Sequence, residues 1–256
     1  MKGKNTKIGD KYTGARGTVV EVITLQGEIA TVKIEGTDII FDIKRSHVRS
    51  GKFRTPLCKT VYGVGYIGNG PYVCRLEDGT MTRSYSVWSN ILRRCYTNYK
   101  SDEKHKTYVN VEVCDEWMNY QNFAQWYCDK SSRYDGSNIE YHVDKDLLSH
   151  NHRGSLYSPE TCCLLPRLLN CALQEERSTN NKYHGVNNDG NKFYFTLSKK
   201  CKNYVKRFDT ETEALDAFNS AKYEYLLELA NEYRQFLDHN VYEAIVNWTP
   251  RKYKED

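Results

Sequence analysis

Apolar and polar positions alternate in short runs over the first sixty residues, which is the pattern of half-buried β-strands. The runs cover residues 18–24, 29–34 and 37–43, and they are rich in Val, Ile and Thr. Glycines at positions 14, 17, 27 and 36 mark the turns between them. We therefore predict a small curled barrel or meander for residues 1–60.

A basic cluster follows the last of these strands. A cluster of this kind suits the phosphate backbone of a nucleic acid, although a run of charge is also typical of a face that is only solvated. Its members are Lys44, Arg45, His47, Arg49, Lys52 and Arg54.

Farther along the chain the apolar spacing becomes that of a helix. In residues 86–96 apolar side chains return every three or four positions and share one face. Arg93 and Arg94 project from the end of this helix, and we predict that they contact DNA. The face is formed by Val87, Ile91, Leu92 and Cys95. The large aromatic residues that we expect in the core of two packed helices are Trp88, Trp117, Phe123 and Trp126.

The pattern of residues 183–236 predicts a three-stranded sheet followed by a long helix. Residues 188–190, Asn-Asp-Gly, are a strong turn signal, and residues 193–197 and 204–208 alternate as strands. Thr210 and Glu213 have the spacing of a capping box, in which each side chain bonds the other's backbone N–H at a helix start. The predicted helix carries one apolar stripe, formed by Ala214, Phe218, Ala221, Tyr225 and Leu229.

Composition narrows the class of protein. The net charge of +4 among 256 residues is small, so only local clustering of charge argues for a nucleic-acid partner. No apolar run is long enough to span a membrane, and the polar start lacks the apolar core of a signal peptide. The 9 cysteines include no C-x-x-C pair, so we expect reduced, packed thiols and no structural zinc.

The segment of residues 141–170 carries the clearest chemistry. A predicted strand holds His142, Asp144 and Asp146, whose side chains would share one face because side chains alternate along a strand. A loop with further histidines follows, and Asn170 lies on a predicted helix. Carboxylate and amide oxygens suit a hard cation such as magnesium. A magnesium ion beside a general base is a typical arrangement in enzymes that hydrolyse a phosphodiester.

These motifs resemble the ββα-metal (HNH) nucleases, in particular phage-borne, homing-endonuclease-like proteins. The residues that carry the resemblance are Pro159, Glu160 and Asn170, with Thr161 where the family has a structural Asn. The stretches WSNILRRCY, VCDEW and FAQWY are also similar to phage proteins of this type. The resemblance implies a metal, Mg²⁺ or Mn²⁺, held by Asp144, Asp146 and Asn170.

The general base is left open between two residues. The family usually has Asp-His where this chain has Asp144 and Lys145. His142 lies two positions upstream, on the predicted face of Asp144, and is the first candidate for the base. Lys145 is the second candidate, because a lysine acts as a base only when burial or a nearby charge lowers its pKa.

Residues 183–230 resemble the ethylene-response-factor (APETALA) type of DNA-binding domain. Tyr183, Gly185 and Val186 match its opening, and the stretch FDTETEA, residues 208–214, matches its close. The resemblance implies a sheet that lies in the major groove. The residues expected to contact DNA are His184, Asn187, Lys192, Tyr194, Thr196, Lys199, Lys200, Lys202, Lys206 and Arg207.

Taken together, the sequence predicts an α+β protein with a β-rich module (residues 1–60), an HNH-like domain (61–175), a sheet-helix DNA-binding domain (180–238) and a C-terminal helix and tail (239–256). The expected function is a phage-type endonuclease that cuts double-stranded DNA with a divalent metal in the host cytoplasm, without membrane attachment. Two alternatives stay open: a DNA-binding or regulatory protein that has lost cleavage, and a module that binds and inhibits a host protein.

Overall fold

The computed structural model describes residues 5–14, 16–97, 109–149, 155–174, 185–200 and 202–249. Helices and several small sheets occur together, so the fold is of the α+β class. The chain forms two compact units, Met1–Gln125 and Trp126–Asp256. The four domains predicted from the sequence divide the chain at other positions, since the predicted HNH-like domain (61–175) includes the boundary between the two units, and they remain a prediction. No helix in the described part of the chain has the length and apolar character needed to cross a bilayer.

The first unit opens with a four-stranded antiparallel meander in which each strand pairs with the next one along the chain. Every second side chain of the two central strands points into one core, which also receives Val48 and Phe53 from the segment after the sheet. The strand pattern left a barrel or a meander open, and these four strands pair in the order of a meander. Its strands are β1 (Lys11–Thr13), β2 (Val19–Gln26), β3 (Ile29–Ile34) and β4 (Ile40–Lys44), followed by helix α1 (Arg45–Ser50).

The rest of the first unit is built around α2 (Arg83–Tyr96). Thr82 caps this helix by accepting a hydrogen bond from the backbone N–H of Tyr85. The apolar face is centred on the fully buried Trp88, one position away from the predicted Val87, which is only partly buried. Trp88 Nε1 donates to the carbonyl of Trp117 at 2.6 Å, because a buried indole N–H needs an acceptor.

The remaining elements of this part are β5 (Glu112–Val113), a 3-10 turn (Asp115–Met118) and α3 (Tyr120–Ser131), and the division between the units falls within α3. Trp117 and Phe123 are buried as predicted and pack edge to face, with ring centroids 4.9 Å apart. Trp126 is only partly buried.

The second unit contains a β-hairpin-like pair, a three-stranded sheet and three helices. Its elements in chain order are β6 (Tyr141–Asp144), β7 (Leu156–Tyr157), β8 (Cys163–Pro166), α4 (Arg167–Leu173), β9 (Val186–Asn188), β10 (Phe193–Lys199), β11 (Lys202–Phe208), α5 (Glu211–Glu232) and α6 (His239–Val246), with 3-10 turns at Ser132–Tyr134, Leu147–Ser149 and Arg234–Phe236.

Helix α5 begins and packs as its sequence pattern predicts. Thr210 and Glu213 form the capping box, each side chain bonding the other residue's backbone N–H at 3.2 Å. Near its start the helix covers the three-stranded sheet, where Phe218 packs with Phe195 and Leu197. The helix ends at Glu232, short of the predicted position 236.

Farther along, α5 enters a second core that it shares with β8, α4 and α6. Leu165 and Leu169 from the strand and the short helix pack there with Leu226 and Leu229 of α5, and all four are fully buried. The predicted HNH-like and sheet-helix segments therefore have a common core. A fragment that contains α5 without α4 would expose this apolar surface to water.

Asp238, the residue before α6, holds together distant parts of this unit. Its carboxylate accepts from Lys130 Nζ and Arg133 Nη2, each at 2.7 Å. Partial burial acts to raise the pKa of Asp238, but the hydrogen bonds from the two cations outweigh it and hold this pKa below its usual value.

We expect Asp238→Asn to lower the free energy of unfolding by about 2 kcal/mol at neutral pH, the usual worth of hydrogen bonds to a charged group. A carboxyl whose pKa is depressed by folding stabilises above its unfolded pKa, and this contribution is lost as the pH falls through the folded pKa. Urea denaturation at pH 7 and at pH 3 measures the difference. Asp216→Asn, at an exposed position of α5, is the control, and an equal effect of both variants would contradict the assignment.

Candidate functional site

Strands β6 and β8 and helix α4 form a small ββα unit. The strands are antiparallel, with His142 opposite Leu165 and Asp144 opposite Cys163. Helix α4 follows β8 directly and packs against both strands. Asn170 lies on this helix with 7% of its surface exposed. Asp144 ends the first strand, so a carboxylate and a buried amide belong to the same unit.

Asp144 and Asp146 do not share a strand face, contrary to the prediction. The strand ends at Asp144, whose Oδ1 accepts the backbone N–H of Asp146 at 3.0 Å and of Leu147 at 2.8 Å. This capping bends the chain into the 3-10 turn Leu147–Ser149. His142 and Asp144, by contrast, are alternate residues of β6 and share a face as predicted.

Burial is the main influence on the ionisation of Asp144. It raises the pKa of this carboxyl above its usual value, although the N–H donors of Leu147 and Asp146 act to lower it. The neighbouring Cys162 is also buried, and this raises the pKa of its thiol to about 12. With no metal bound, the Cys162 thiol is therefore neutral at neutral pH.

Lys145 is buried, with 8% of its surface exposed. Its Nζ donates to Asp146 Oδ1 at 2.8 Å and lies 5.9 Å from the centre of the Tyr157 ring. The ion pair supplies the countercharge that a buried ammonium requires. It also engages a carboxylate oxygen of Asp146, one of the predicted metal ligands.

His142 is half exposed and has a carboxylate partner. Its Nε2 lies 3.2 Å from Glu140 Oε1, and Arg167 Nη1 lies 3.5 Å from the other oxygen, Glu140 Oε2. When Nε2 carries the ring proton, this N–H donates a hydrogen bond to Glu140. The unprotonated Nδ1 is then the basic nitrogen. A carboxylate that orients an imidazole in this way is a recurrent arrangement for a general base.

Glu140 was not predicted from the sequence as a residue of the site. Its position two residues before His142 is the same alternation that relates His142 to Asp144, so the signal was present in the strand pattern. The backbone continues the ladder there, because Arg167 N–H donates to the Glu140 carbonyl at 2.7 Å.

The second candidate region is the sheet with strand order β11-β10-β9. Helix α5 covers the face that carries Phe195 and Leu197. In an antiparallel sheet, directly paired residues share a face. The register therefore puts four of the predicted DNA contacts on the face opposite α5, namely Asn187, Tyr194, Thr196 and Arg207. The guanidinium of Arg207 lies over the Tyr194 ring, 5.6 Å from its centre.

Three predicted DNA contacts on β10 and β11 lie on the other face, because they alternate with the residues above. Lys206 pairs with Phe195 and Lys202 with Lys199, and these positions share the face of α5. Lys199 Nζ lies 5.2 Å from the centre of the Tyr225 ring, and Lys206 Nζ lies 5.4 Å from that of Phe208.

The two predicted contacts in the turns are held by acids. Lys192 forms an ion pair with Asp209. Lys200 lies 2.8 Å from Glu232 and 3.4 Å from Glu228 of α5. Among the described residues, Arg207 is thus the one basic residue predicted to contact DNA that lies on the sheet face opposite α5. His184, and the loop residues His150 and His152, lie outside the described residues.

Arg93 and Arg94 belong to the first unit, in the last turn of α2. Arg93 is exposed and Arg94 partly buried. Cations at this end of a helix also offset the negative end of its dipole. The helix dipole is therefore one reason to find Arg93 and Arg94 at this end of α2, and the predicted contact with DNA is another.

Within the described ranges no three His, Cys, Asp or Glu side chains are grouped closely enough to hold a metal ion by themselves. None of the eight cysteines in these ranges forms a disulfide. Comparison of the chain with protein-family models, with curated proteins and with solved structures found no match.

Proposed function

We propose that this protein is an endonuclease that cuts double-stranded DNA with a divalent metal ion. The observation that carries the proposal is the ββα unit, with Asp144 at the end of its first strand and Asn170 on its helix. Strand, strand and helix follow in the order of the HNH motif that the sequence resembles. The resemblance implies that Asp144 and Asn170 occupy the two positions that this motif uses for metal ligands.

The donor atoms fit magnesium or manganese better than zinc. Magnesium is commonly held by one or two protein oxygens and completes its shell with water and substrate phosphate. Asp144 and Asn170 supply oxygens of this kind, whereas zinc is more often held by thiolate and imidazole ligands. When bound, the metal would stabilise negative charge on the phosphate that is being cut.

His142 is the preferred general base. In the proposed reaction its Nδ1 takes a proton from water, and the hydroxide forms a bond to phosphorus. The bond from phosphorus to one sugar oxygen breaks, and that oxygen takes a proton from solvent. Glu140 is a positioning residue, since it holds Nε2 and stabilises the imidazolium after proton transfer.

The face of the three-stranded sheet opposite α5 is proposed to contact DNA. It carries Asn187, Tyr194 and Arg207, which offer an amide, an aromatic ring and a guanidinium at registered positions. An amide and a guanidinium are the groups that read adenine and guanine edges by paired hydrogen bonds.

We expect Arg207→Ala to weaken binding of duplex DNA by about 1–3 kcal/mol and to change sequence preference. Lys200→Ala is the matched control, because Lys200 lies in a turn and two glutamates hold its ammonium, so its loss should change affinity little. Arg207 also has an acidic partner, since its Nε lies 3.5 Å from Asp189 Oδ2, but Arg207 lies on the proposed face. Fluorescence anisotropy of full-length variants with a panel of labelled duplexes measures both. A larger loss for Lys200→Ala than for Arg207→Ala would assign DNA contact to the opposite side of the sheet.

A protein that binds DNA but does not cut it is the second candidate, and Lys145 supports it. The family usually has a histidine at this position, and here the buried lysine donates to Asp146. In this ion pair the lysine is an ammonium, which offers three N–H donors and has no lone pair to accept a proton.

Nicking of a supercoiled plasmid separates the two candidates. The proposal expects nicked and linear products with magnesium or manganese and none with a chelator. An intact plasmid under all metal conditions, together with a mobility shift of the same DNA, would favour the protein that only binds.

A further inference from the structure

A second basic surface lies on the first unit, at the segment that closes the four-stranded meander. We define it as the N-terminal basic surface, formed by Lys44, His47, Arg49, Lys52 and Arg54. All five side chains are exposed. Residues 43–76 contain seven Lys or Arg and no Asp or Glu. The acids that bound this stretch are Asp42 and Glu77, and between them the chain carries positive charge alone.

The segment that carries these residues is firmly attached to the meander. Val48 is fully buried in the meander core, and Phe53 is 8% exposed there. Gly51 ends α1 in the left-handed region, with φ of 66°, and its N–H donates to the Val48 carbonyl. Because two apolar anchors fix the segment, the basic side chains project from a defined backbone, which lowers the entropy lost when they bind a ligand.

Within the part of the chain that the structure describes, the charged side chains of this surface form no salt bridge, whereas the ion pairs Lys11–Glu35 and Lys33–Asp38 occur elsewhere on the same sheet. Asp42, the closest acid before the segment, already accepts from Thr31 Oγ1 at 2.8 Å. On the C-terminal sheet, by contrast, Lys192 and Lys200 are held by acids.

We propose that the N-terminal basic surface binds the phosphate backbone of duplex DNA. Exposed lysine and arginine side chains that have no internal partner are the groups that neutralise phosphates and release counterions. A membrane surface is a poorer match. Interfacial helices need a long apolar face, but α1 has six residues and its Val48 is buried in the core. The inference rests on the proposed function only in naming duplex DNA as the partner.

The test compares two full-length variants that change net charge equally. Arg49→Glu with Lys52→Glu alters the surface. Lys11→Glu with Lys33→Glu alters basic residues elsewhere on the sheet, where loss of an exposed ion pair costs little stability. Binding of a labelled mixed-sequence duplex is measured by anisotropy, with chelator present, at salt concentrations from about 50 to 200 mM.

The surface variant should bind about tenfold more weakly at low salt, and its plot of log affinity against log salt should be shallower by about two units, because each phosphate that the protein neutralises adds about 0.9 to the slope. The control variant should keep the wild-type slope. Equal weakening in both variants, an unchanged surface variant, or no binding by the wild type would overturn the proposal.

Two further measurements keep the result specific. Arg49→Gln with Lys52→Gln should show the same direction of change with an unaltered melting temperature, which separates weaker phosphate binding from unfolding of the protein. Binding to phosphatidylserine vesicles that disappears in the surface variant, with DNA binding intact, would assign the surface to a membrane and overturn the proposal. None of these outcomes bears on cutting, because cutting is tested through Asp144.

Discussion

Asp144→Asn is expected to abolish metal-dependent cutting while the protein keeps its fold and its thermal stability, or gains some. An asparagine Oδ1 still accepts the N–H groups of Asp146 and Leu147, so the turn after β6 is preserved. The substitution removes the negative charge that a divalent cation needs. Folding raises the pKa of Asp144, so the ionised carboxylate is destabilising at neutral pH and its removal relieves that cost.

Plasmid nicking and thermal unfolding with and without magnesium measure the two effects. Magnesium at a hundredfold excess over its dissociation constant stabilises a folded protein by about 2.7 kcal/mol, and this shift should vanish in the variant. Asp144→Ala is the informative companion, since it also loses two hydrogen bonds worth about 1 kcal/mol each. If Asp144→Asn cuts DNA as well as the wild type does, the metal site lies elsewhere.

The local sequence pattern predicted most of the regular structure. Strand alternation and glycine positions are short-range signals, and the meander follows them because each strand pairs with its neighbour in the chain. The capping box of α5 is equally local, since both partners lie within one turn. The predicted face of α2 is buried at Ile91, Leu92 and Cys95, and only Val87 is replaced there by Trp88, because both fit the helical spacing and only packing distinguishes them.

Predictions that depend on contacts between distant residues were less complete. The core that joins α4 to α5 links residues about sixty positions apart, such as Leu169 and Leu229, and no spacing rule reveals it. Strand β6 ends at Asp144 because the side chain of this residue accepts hydrogen bonds from nearby backbone N–H groups. This local bonding competes with continued strand pairing.

The predicted contacts with DNA also depended on residues that are distant in the sequence. The sequence shows a basic sheet, but charge alone does not show which face each side chain takes. The pairing register separates Arg207 from Lys206, and the acids of α5 that engage Lys200 come from a segment about thirty residues away. Side chains alternate along a strand, and this rule alone would have assigned each lysine of the sheet to one of its two faces.

His142→Ala is expected to lower the rate of cutting by roughly two to four orders of magnitude, the usual contribution of a general base. The Michaelis constant for DNA should change little, because His142 acts on water and not on substrate binding. Its exposed ring leaves space when removed, so added imidazole should restore part of the rate. A structural role for the residue would not be rescued in this way.

Lys145→Met is the matched control for the competing base. Methionine keeps most of the volume of the buried side chain and removes the amine. This variant should cut at a rate close to that of the wild type if His142 is the base. A large loss in Lys145→Met, with little loss in His142→Ala, would transfer the role to Lys145.

Glu140→Gln then tests how His142 is oriented. Glutamine Oε1 still accepts from Nε2–H, at a position where glutamate lies 3.2 Å away, but it lacks the charge that stabilises the imidazolium. We expect a loss of roughly tenfold in the turnover rate, smaller than that of His142→Ala, because a hydrogen bond to an ionised acceptor is about twice as strong as a neutral one. In the double variant Glu140→Gln with His142→Ala, the loss should equal that of His142→Ala alone, since Glu140 acts through the imidazole. Additive losses would mean that Glu140 contributes independently of His142, and the positioning role would be wrong.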